Sequence, residues 1–182
     1  MRAFLALTLS PEVVSHLEDI QDQVKLTNRG KGTWSRPENF HMSLAFLGDI
    51  TRDQADILAR LLASQADRFS PFSLTLDKLG YFGFEHESTL WCSVRPDNNL
   101  KALVSTVYKA VHDSRIHFES KPFKAHITLG RKINIMNCQL NSINVRPLSF
   151  PVDGITLFQS TLTPDGPIYR EMYSIQFTPR TL

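Results

Sequence analysis

Two short stretches with the same residue pattern decide how this chain should fold. Residues 41–48 read HMSLAFLG and residues 126–131 read HITLGR, so each begins with histidine, an apolar residue, a hydroxyl residue and leucine. Because side chains alternate along a β-strand, the histidine and the hydroxyl of each stretch should share one face. The two stretches therefore predict two strands that each present an imidazole beside a hydroxyl, with apolar residues behind them.

Similar elements precede both stretches at similar distances. A predicted strand beginning at Phe4 starts 37 residues before His41, and one beginning at Leu90 starts 36 residues before His126. An amphipathic helix is predicted between strand and stretch in both cases. The pattern indicates an α+β fold built by duplication, with two similar lobes that face each other. The approximate repeats are residues 3–78 and 89–158, intertwined in a single two-lobed domain over residues 1–182.

Hydrophobic periodicity and turn residues predict the individual elements. The predicted helices lie at residues 11–28, at 52–67 and after Asp97, and the predicted strands at 4–9, 41–48, 72–76, 90–95, 126–130, 150–160 and 168–177. Residues 80–88, GYFGFEHES, are predicted to form a turn or loop. His16 lies among charged residues of the first helix, and we expect it to be exposed to solvent.

Two opposed imidazole–hydroxyl pairs suit acid–base chemistry on a phosphate. Histidine has an ordinary pKa of about 6.5, so near neutral pH one of His41 and His126 can accept a proton while the other donates one. The hydroxyls of Ser43 and Thr128 can donate to phosphate oxygens, and Arg131 offers a planar fork for the same group. These five residues predict a site that opens or closes a phosphodiester ring without a metal.

Other catalytic classes lack the residues they need. A catalytic zinc needs three protein ligands. The sequence has no H-E-x-x-H pattern and no third candidate ligand at a sequence spacing from the histidines that is typical of a zinc site. Ser43 does not lie in a G-x-S-x-G elbow, and no Walker A or G-x-G-x-x-G pattern is present. We therefore expect no metal and no cofactor.

The composition is that of an ordinary globular protein. Of the 182 residues, 42% are hydrophobic and 21% are charged, which excludes collagen-like, disordered and disulfide-scaffold classes. Cys92 and Cys138 form no C-x-x-C motif, as is usual in a reducing cytosol. No apolar run approaches the roughly 20 residues that a membrane span needs, and residues 1–14 read as a strand rather than a signal peptide. We expect a cytoplasmic protein with no membrane partner.

The formal net charge of +2 hides two basic segments. Residues 23–37 and residues 120–152 contain no acidic residue and carry charges of +4 and +5. If the two lobes face each other, both segments border one cleft and focus a positive field on it. Their basic residues are Lys25, Arg29, Lys31, Arg36, Lys121, Lys124, Arg131, Lys132 and Arg146.

The sequence resembles the two-histidine phosphoesterase superfamily and, within it, the RNA 2′,3′-cyclic phosphodiesterases, also called 2′–5′ RNA ligases. Besides the two histidine motifs, the resemblance rests on RAFLAL at 2–7, WSRPEN at 34–39, LW at 90–91, PFKAHITLGR at 122–131, QSTL at 159–162 and GPIY at 166–169. One departure is Ser43, where the first motif of the family commonly has threonine.

The resemblance implies a bilobal α+β fold, in which two antiparallel sheets with outer helices face each other across a central cleft. It also implies metal-independent hydrolysis of RNA 2′,3′-cyclic phosphate ends to 2′-phosphomonoesters, and in some members a reversible 2′–5′ joining. By motif position, His41 and His126 would be the acid and base. Ser43, Thr128 and Arg131 would contact the phosphate.

Several alternatives stay open at this point. The same chemistry would act on a small cyclic nucleotide or an ADP-ribose cyclic phosphate, and the cleft would also suit a non-catalytic module that binds nucleotides or RNA ends. The sequence does not say which histidine is the base. The candidates for stacking on a base are Phe4, Trp34, Phe84 and Tyr169. We expect a monomer, because a cleft between two lobes of one chain needs no partner.

Overall fold

The computed structural model describes residues 1–28, 31–118 and 122–178. Within this part of the chain the α-helices are α1 (Pro11–Asn28), α2 (Arg52–Ala63) and α3 (Asn98–Asp113). The strands are β1 (Arg2–Leu7), β2 (Thr33–Trp34), β3 (Met42–Asp49), β4 (Phe72–Phe84), β5 (Glu87–Val94), β6 (His126–Ile133), β7 (Ser149–Val152), β8 (Gly154–Thr163) and β9 (Gly166–Gln176). Short 3₁₀ helices lie at Pro37–Asn39, Ala66–Arg68 and Leu140–Ser142.

The strands follow one antiparallel order, β7-β4-β5-β6-β3-β1-β8-β9, with β2 added beside β6. This order has two matching halves that meet where β6 and β3 pair at Met42 and Ile127. Outward from that junction, each half contains a histidine strand (β3 or β6), the strand that opens a repeat (β1 or β5) and a strand from the other repeat (β8 or β4). This topology confirms the predicted α+β fold with two pseudo-symmetric antiparallel halves, which are joined where β3 and β6 pair. The repeat limits, 3–78 and 89–158, stay a prediction.

The helices cover the apolar face of the sheet because their buried residues recur at helical spacing. In α1 the buried apolar residues include Val13, Leu17, Ile20 and Val24, each with no exposed surface. Full burial of one such side chain contributes about 1.5–3 kcal/mol, so the four together hold α1 against the sheet. The helix α2 begins at a capping box, in which Thr51 and Gln54 each satisfy a backbone N–H of the other. No helix of the described residues is long and apolar enough to cross a membrane.

Two buried polar side chains of α1 tie it to distant segments. The Gln21 amide donates to the carbonyl of Leu129 at 2.6 Å and to that of Ser35 at 2.8 Å. His16 is only 5% exposed, and its Nε2 accepts from the backbone N–H of Arg146 at 2.9 Å. The expected exposure of His16 is therefore wrong, since its partner lies 130 residues away and leaves no mark on the local sequence.

The predicted loop over residues 80–88 is also wrong. The strand β4 continues to Phe84, and β5 begins at Glu87 after a tight turn. Gly80 has a packing role in this pair of strands, because a Cβ there would lie 2.2 Å from Cη2 of Trp91 on the neighbouring strand. Glycine inside a strand marks such a close approach.

The predicted strand over 150–160 is two strands that belong to different halves. The strand β7 pairs with β4, whereas β8 pairs with β1 and β9. The chain passes from one half to the other at Asp153. The predicted helix over 52–67 is likewise shorter, because α2 ends at Ala63 and a 3₁₀ turn follows.

Candidate active site

The two histidine strands meet at the centre of the sheet. Met42 of β3 pairs with Ile127 of β6 in antiparallel register, and both side chains are fully buried. Extending that register by one residue in each direction sets His41 across from Thr128 and Ser43 across from His126. These four side chains share the opposite face and are partly exposed. The structure thus brings four of the five predicted site residues together as two imidazole–hydroxyl pairs.

Both imidazoles are oriented by a backbone carbonyl two residues upstream. The Nδ1 atom of His41 lies 2.7 Å from the carbonyl oxygen of Asn39, and that of His126 lies 2.6 Å from the carbonyl oxygen of Lys124. A carbonyl oxygen only accepts, so Nδ1 carries the proton in both rings. In the neutral rings this leaves both Nε2 atoms as acceptors.

The hydroxyl of Ser43 is engaged by its own histidine. Its Oγ atom lies 2.9 Å from Nε2 of His41. Because Nδ1 holds the ring proton, the neutral imidazole accepts at Nε2 and the hydroxyl donates. Serine at this position therefore keeps a hydroxyl within hydrogen-bond distance of its histidine.

Burial and positive charge lower the pKa of both histidines from the ordinary value of 6.5. For His41, burial is the largest cause, the bond to the Asn39 carbonyl opposes it, and the charges of Arg131 and His126 act in the same direction as burial. For His126, burial again leads, with the Lys124 carbonyl opposing and Arg131 and Lys124 assisting. The free site therefore favours neutral imidazoles, and an anionic phosphate between them would favour a proton on one of them.

Arg131 brings a permanent positive charge to this site. It lies on β6, where β2 pairs with it through Thr33. Its charge lowers the pKa of His41, of His126 and of the Tyr169 hydroxyl, although burial leaves the pKa of Tyr169 raised on balance. The fifth predicted site residue thus acts on both histidines.

Each imidazole packs against two aromatic rings. Phe4 and Tyr169 lie 4.8 Å and 5.3 Å from the ring of His41, measured between ring centres. Phe82 and Trp91 lie 5.1 Å and 6.4 Å from that of His126. Sequence reasoning did not place Phe82 at the site, because residues 80–88 read as a loop. It predicted the strand of Trp91 but not the contact of Trp91 with His126, which depends on how β5 pairs with β6.

The predicted stacking residues have different surroundings. Phe4 is only 3% exposed, and its ring packs against His41 in the wall of the cavity that His41 lines. Phe84 is 74% exposed and stacks on His86 at the β4–β5 turn, away from both site histidines in the sheet. Lys25 lies over the ring of Trp34 at 5.4 Å. Of the four, Tyr169 is the one that is both partly exposed and in contact with a site histidine.

Cavities open on both sides of the histidine pair. One of about 470 Å³ is lined by His41, Asn39 and Tyr169, and another of about 380 Å³ by Ser43, Phe82 and His126. Each histidine thus lines a different cavity, and a phosphate between the histidines would have room for a substituent on either side.

The basic segments supply charge to the site only in part. Arg131 and Lys124 act on the histidines, and Nζ of Lys124 lies 5.2 Å from the centre of the Phe82 ring. Arg146 instead contacts His16 of α1. Arg29 and Lys121 fall outside the described residues.

Among the described residues, neither a cysteine nor a cluster of metal-binding side chains belongs to this site. Both cysteines are free thiols, and burial raises the pKa of Cys92 to about 12, so it stays protonated. Within residues 1–28, 31–118 and 122–178, no three His, Cys, Asp or Glu side chains lie close enough to share a metal ion.

Comparison with known proteins identifies the family. The sequence model of a family described as LigT like phosphoesterase matches residues 7–91 and 92–169. The chain is 32% identical over 182 residues to an RNA 2′,3′-cyclic phosphodiesterase of Thermotoga maritima, covering 97% of this chain and 96% of the relative. It is 33% identical to a protein of the same name from Aquifex aeolicus, covering 93% of each.

Solved structures with the same fold span the whole chain or nearly all of it. The crystal structure of TT0787 of Thermus thermophilus superposes with a TM-score of 0.82 at 26% identity and covers 100% of both chains. Escherichia coli LigT, solved in complex with 3′-AMP, superposes with a TM-score of 0.77 at 23% identity, covering 97% and 98%. Since the family's model matches residues 7–91, which contain His41, and residues 92–169, which contain His126, this chain belongs to the LigT-like phosphoesterase family.

Proposed function

We propose that this chain hydrolyses the 2′,3′-cyclic phosphate at RNA ends to a 2′-phosphomonoester, without a metal. The observation that carries the proposal is the pairing of Met42 with Ile127, which brings two imidazole–hydroxyl pairs together on one face. Relatives of nearly the same length are named RNA 2′,3′-cyclic phosphodiesterase. Family membership therefore supports the same reaction class.

The reaction needs one base and one acid. A neutral imidazole takes a proton from water as its oxygen attacks phosphorus, and the bond from phosphorus to the 3′ oxygen breaks. The second imidazole, protonated, gives its proton to that 3′ oxygen. The product carries the phosphate on the 2′ oxygen and a free 3′ hydroxyl, and one water is consumed. His41 and His126 fill these two roles, because their Nε2 atoms are free of the backbone contacts that hold Nδ1.

The phosphate contacts come from the hydroxyls and the guanidinium. Ser43 can turn its hydroxyl from His41 to a phosphate oxygen, and Thr128 lies at the matching place in the other half. Arg131 stabilises the negative charge that grows on the phosphate oxygens as water attacks. Electrostatic stabilisation of this kind needs no metal ion.

The same ring opening can take place with another nucleophile, and its reversal would close the ring again. If a 5′ hydroxyl attacks the cyclic phosphate instead of water, the 3′ oxygen leaves and a 2′–5′ phosphodiester forms. The number of phosphodiester bonds is unchanged, so the joining needs no nucleotide triphosphate. Cavities on both sides of the histidines offer room for the two RNA ends.

A comparison of turnover between a long and a short substrate tests which of them this site prefers. We expect faster turnover of an oligonucleotide ending in a 2′,3′-cyclic phosphate than of a cyclic mononucleotide, because Lys124 and Arg131 attract the phosphates of a longer chain. Phosphorus NMR of the product should show the 2′ monoester, and added chelator should leave the rate unchanged. A 3′ monoester, or loss of activity in chelator with recovery on adding metal, would contradict the proposal. Faster turnover of the mononucleotide would make a small cyclic nucleotide the substrate.

A further inference from the structure

Asn39 contacts the site from two directions. It is the last residue of the 3₁₀ turn Pro37–Asn39, just before β3. Its backbone carbonyl accepts the proton of His41 Nδ1 at 2.7 Å. Its side-chain Nδ2 donates to the carbonyl oxygen of Pro167 at 2.9 Å, 128 residues further along the chain. One residue therefore joins a site imidazole to a distant segment.

That distant segment is the hairpin of β8 and β9. Pro167 lies near the start of β9, two residues before Tyr169, whose ring meets the His41 ring edge-on at 5.3 Å. The hairpin turn is also closed by its own bond, from the Thr163 hydroxyl to the Gly166 carbonyl at 2.7 Å. The hairpin therefore contacts His41 directly through the ring of Tyr169, and indirectly through the bond from Asn39 to Pro167.

The other half of the site has a different arrangement. The Lys124 carbonyl accepts the Nδ1 proton of His126, but the Lys124 side chain lies over Phe82 of β4 instead of bonding to a hairpin backbone. The two histidines thus share the same kind of acceptor, while only the acceptor of His41 is held through its own side-chain amide.

We propose that Asn39 is a positioning residue, whose side-chain bond to Pro167 holds the carbonyl that keeps the His41 proton on Nδ1. A side-chain bond fixes the orientation of its own residue, and hence of the carbonyl that the imidazole needs. Without it the 39–40 peptide keeps only one restraint, the bond from the Phe40 N–H to the Pro37 carbonyl at 3.0 Å. When that peptide turns, His41 can instead carry its proton on Nε2 and donate it to Ser43. Nε2 would then no longer be an acceptor facing the phosphate. The consequence for catalysis rests on the proposed function; the consequence for the ring proton does not.

The test measures both consequences separately. Nitrogen NMR of the imidazoles, without substrate and at a pH where they are neutral, reports which nitrogen of each histidine carries the proton. In Asn39→Ala and in Asn39→Leu, which keeps the volume of the side chain, we expect His41 to move toward the Nε2-protonated form while His126 keeps its proton on Nδ1. The kcat for a cyclic phosphate should fall by about 10- to 100-fold, as for other misplaced reacting groups, with KM nearly unchanged.

Thr163→Val is the matched control. It removes a hydrogen bond from the same hairpin but leaves the contacts of Asn39 in place, so both the ring proton and kcat should stay as in the wild type. An unchanged His41 proton in both Asn39 variants would overturn the proposal, even if their thermal stability fell. If instead the proton moves but the wild type hydrolyses no cyclic phosphate, the positioning role stands and the proposed function fails.

Discussion

Met42 and Ile127 are paired across the junction between the two halves of the sheet, and neither side chain has any exposed surface. Their pairing sets His41 across from Thr128 and Ser43 across from His126. Each half of the chain thus supplies one imidazole to a site that neither half could form alone.

Both histidines should therefore be needed for turnover. We expect His41→Ala and His126→Ala each to lower kcat by about 10²–10⁴-fold, the usual contribution of a general acid or base. His112→Ala is the control, since His112 is an exposed residue near the end of α3. Single-turnover rates with a cyclic-phosphate oligonucleotide measure all three. Wild-type rates in either site variant would remove that histidine from the mechanism.

The pH at which kcat/KM is greatest should lie on the acidic side of the ordinary histidine pKa. The base must be neutral and the acid protonated, so kcat/KM falls below the lower pKa and above the higher one. Burial and the charge of Arg131 lower the pKa of both histidines in the free enzyme. We therefore expect a bell-shaped profile of kcat/KM with its maximum on the acidic side of 6.5.

Removal of the Arg131 charge should move that profile. In Arg131→Gln the pKa of both histidines rises, so the maximum of kcat/KM shifts to higher pH, and the rate at the maximum falls by at least about tenfold because a phosphate contact is lost. Lys109→Gln removes a positive charge that is paired with Asp113 on the surface of α3, and it should shift nothing. A profile of Arg131→Gln that coincides with the wild type would contradict this account.

Gly80 and Trp91 should be coupled in stability. A methyl group at Gly80 would lie 2.2 Å from Cη2 of Trp91. We expect Gly80→Ala to cost about 1–3 kcal/mol of the free energy of unfolding, as overpacking usually does. Phenylalanine lacks the indole atoms that would clash, so the double variant with Trp91→Phe should lose less than the sum of the two single losses. Urea unfolding of the four proteins measures the coupling, and strict additivity would argue against the clash.

A feature of this structure can be predicted from the sequence when the residues that contact each other lie close together along the chain. The histidine strands, α1 and the cap of α3 follow from local periodicity and from residues within a turn of each other. The strand status of residues 80–84 depends on Trp91 of the next strand, and the break at Asp153 depends on which half each strand pairs with. Neither dependence leaves a local pattern.

The same distinction applies to the residues of the site. The two imidazole–hydroxyl pairs could be predicted because alternation along a single strand sets them side by side. The roles of Asn39 and Phe82 could not, because their contacts depend on how separate elements meet in space.

His16 is the clearest case of a long-range partner, and it predicts how stability depends on pH. Burial, assisted by the charge of Arg146, lowers the pKa of His16 below its ordinary value of 6.5, although Asp19 opposes this. As pH falls below 6.5, the unfolded chain therefore takes up a proton that the folded chain resists, and the free energy of unfolding falls. A protonated ring would also lose the lone pair that accepts the Arg146 N–H. Other groups titrate in the same range, so the measurement is a difference from His16→Gln, whose amide oxygen can accept the same bond without titrating. We expect urea unfolding to show the wild type losing more stability than this variant between pH 7 and pH 5, and parallel losses in the two proteins would show that His16 is not the group responsible.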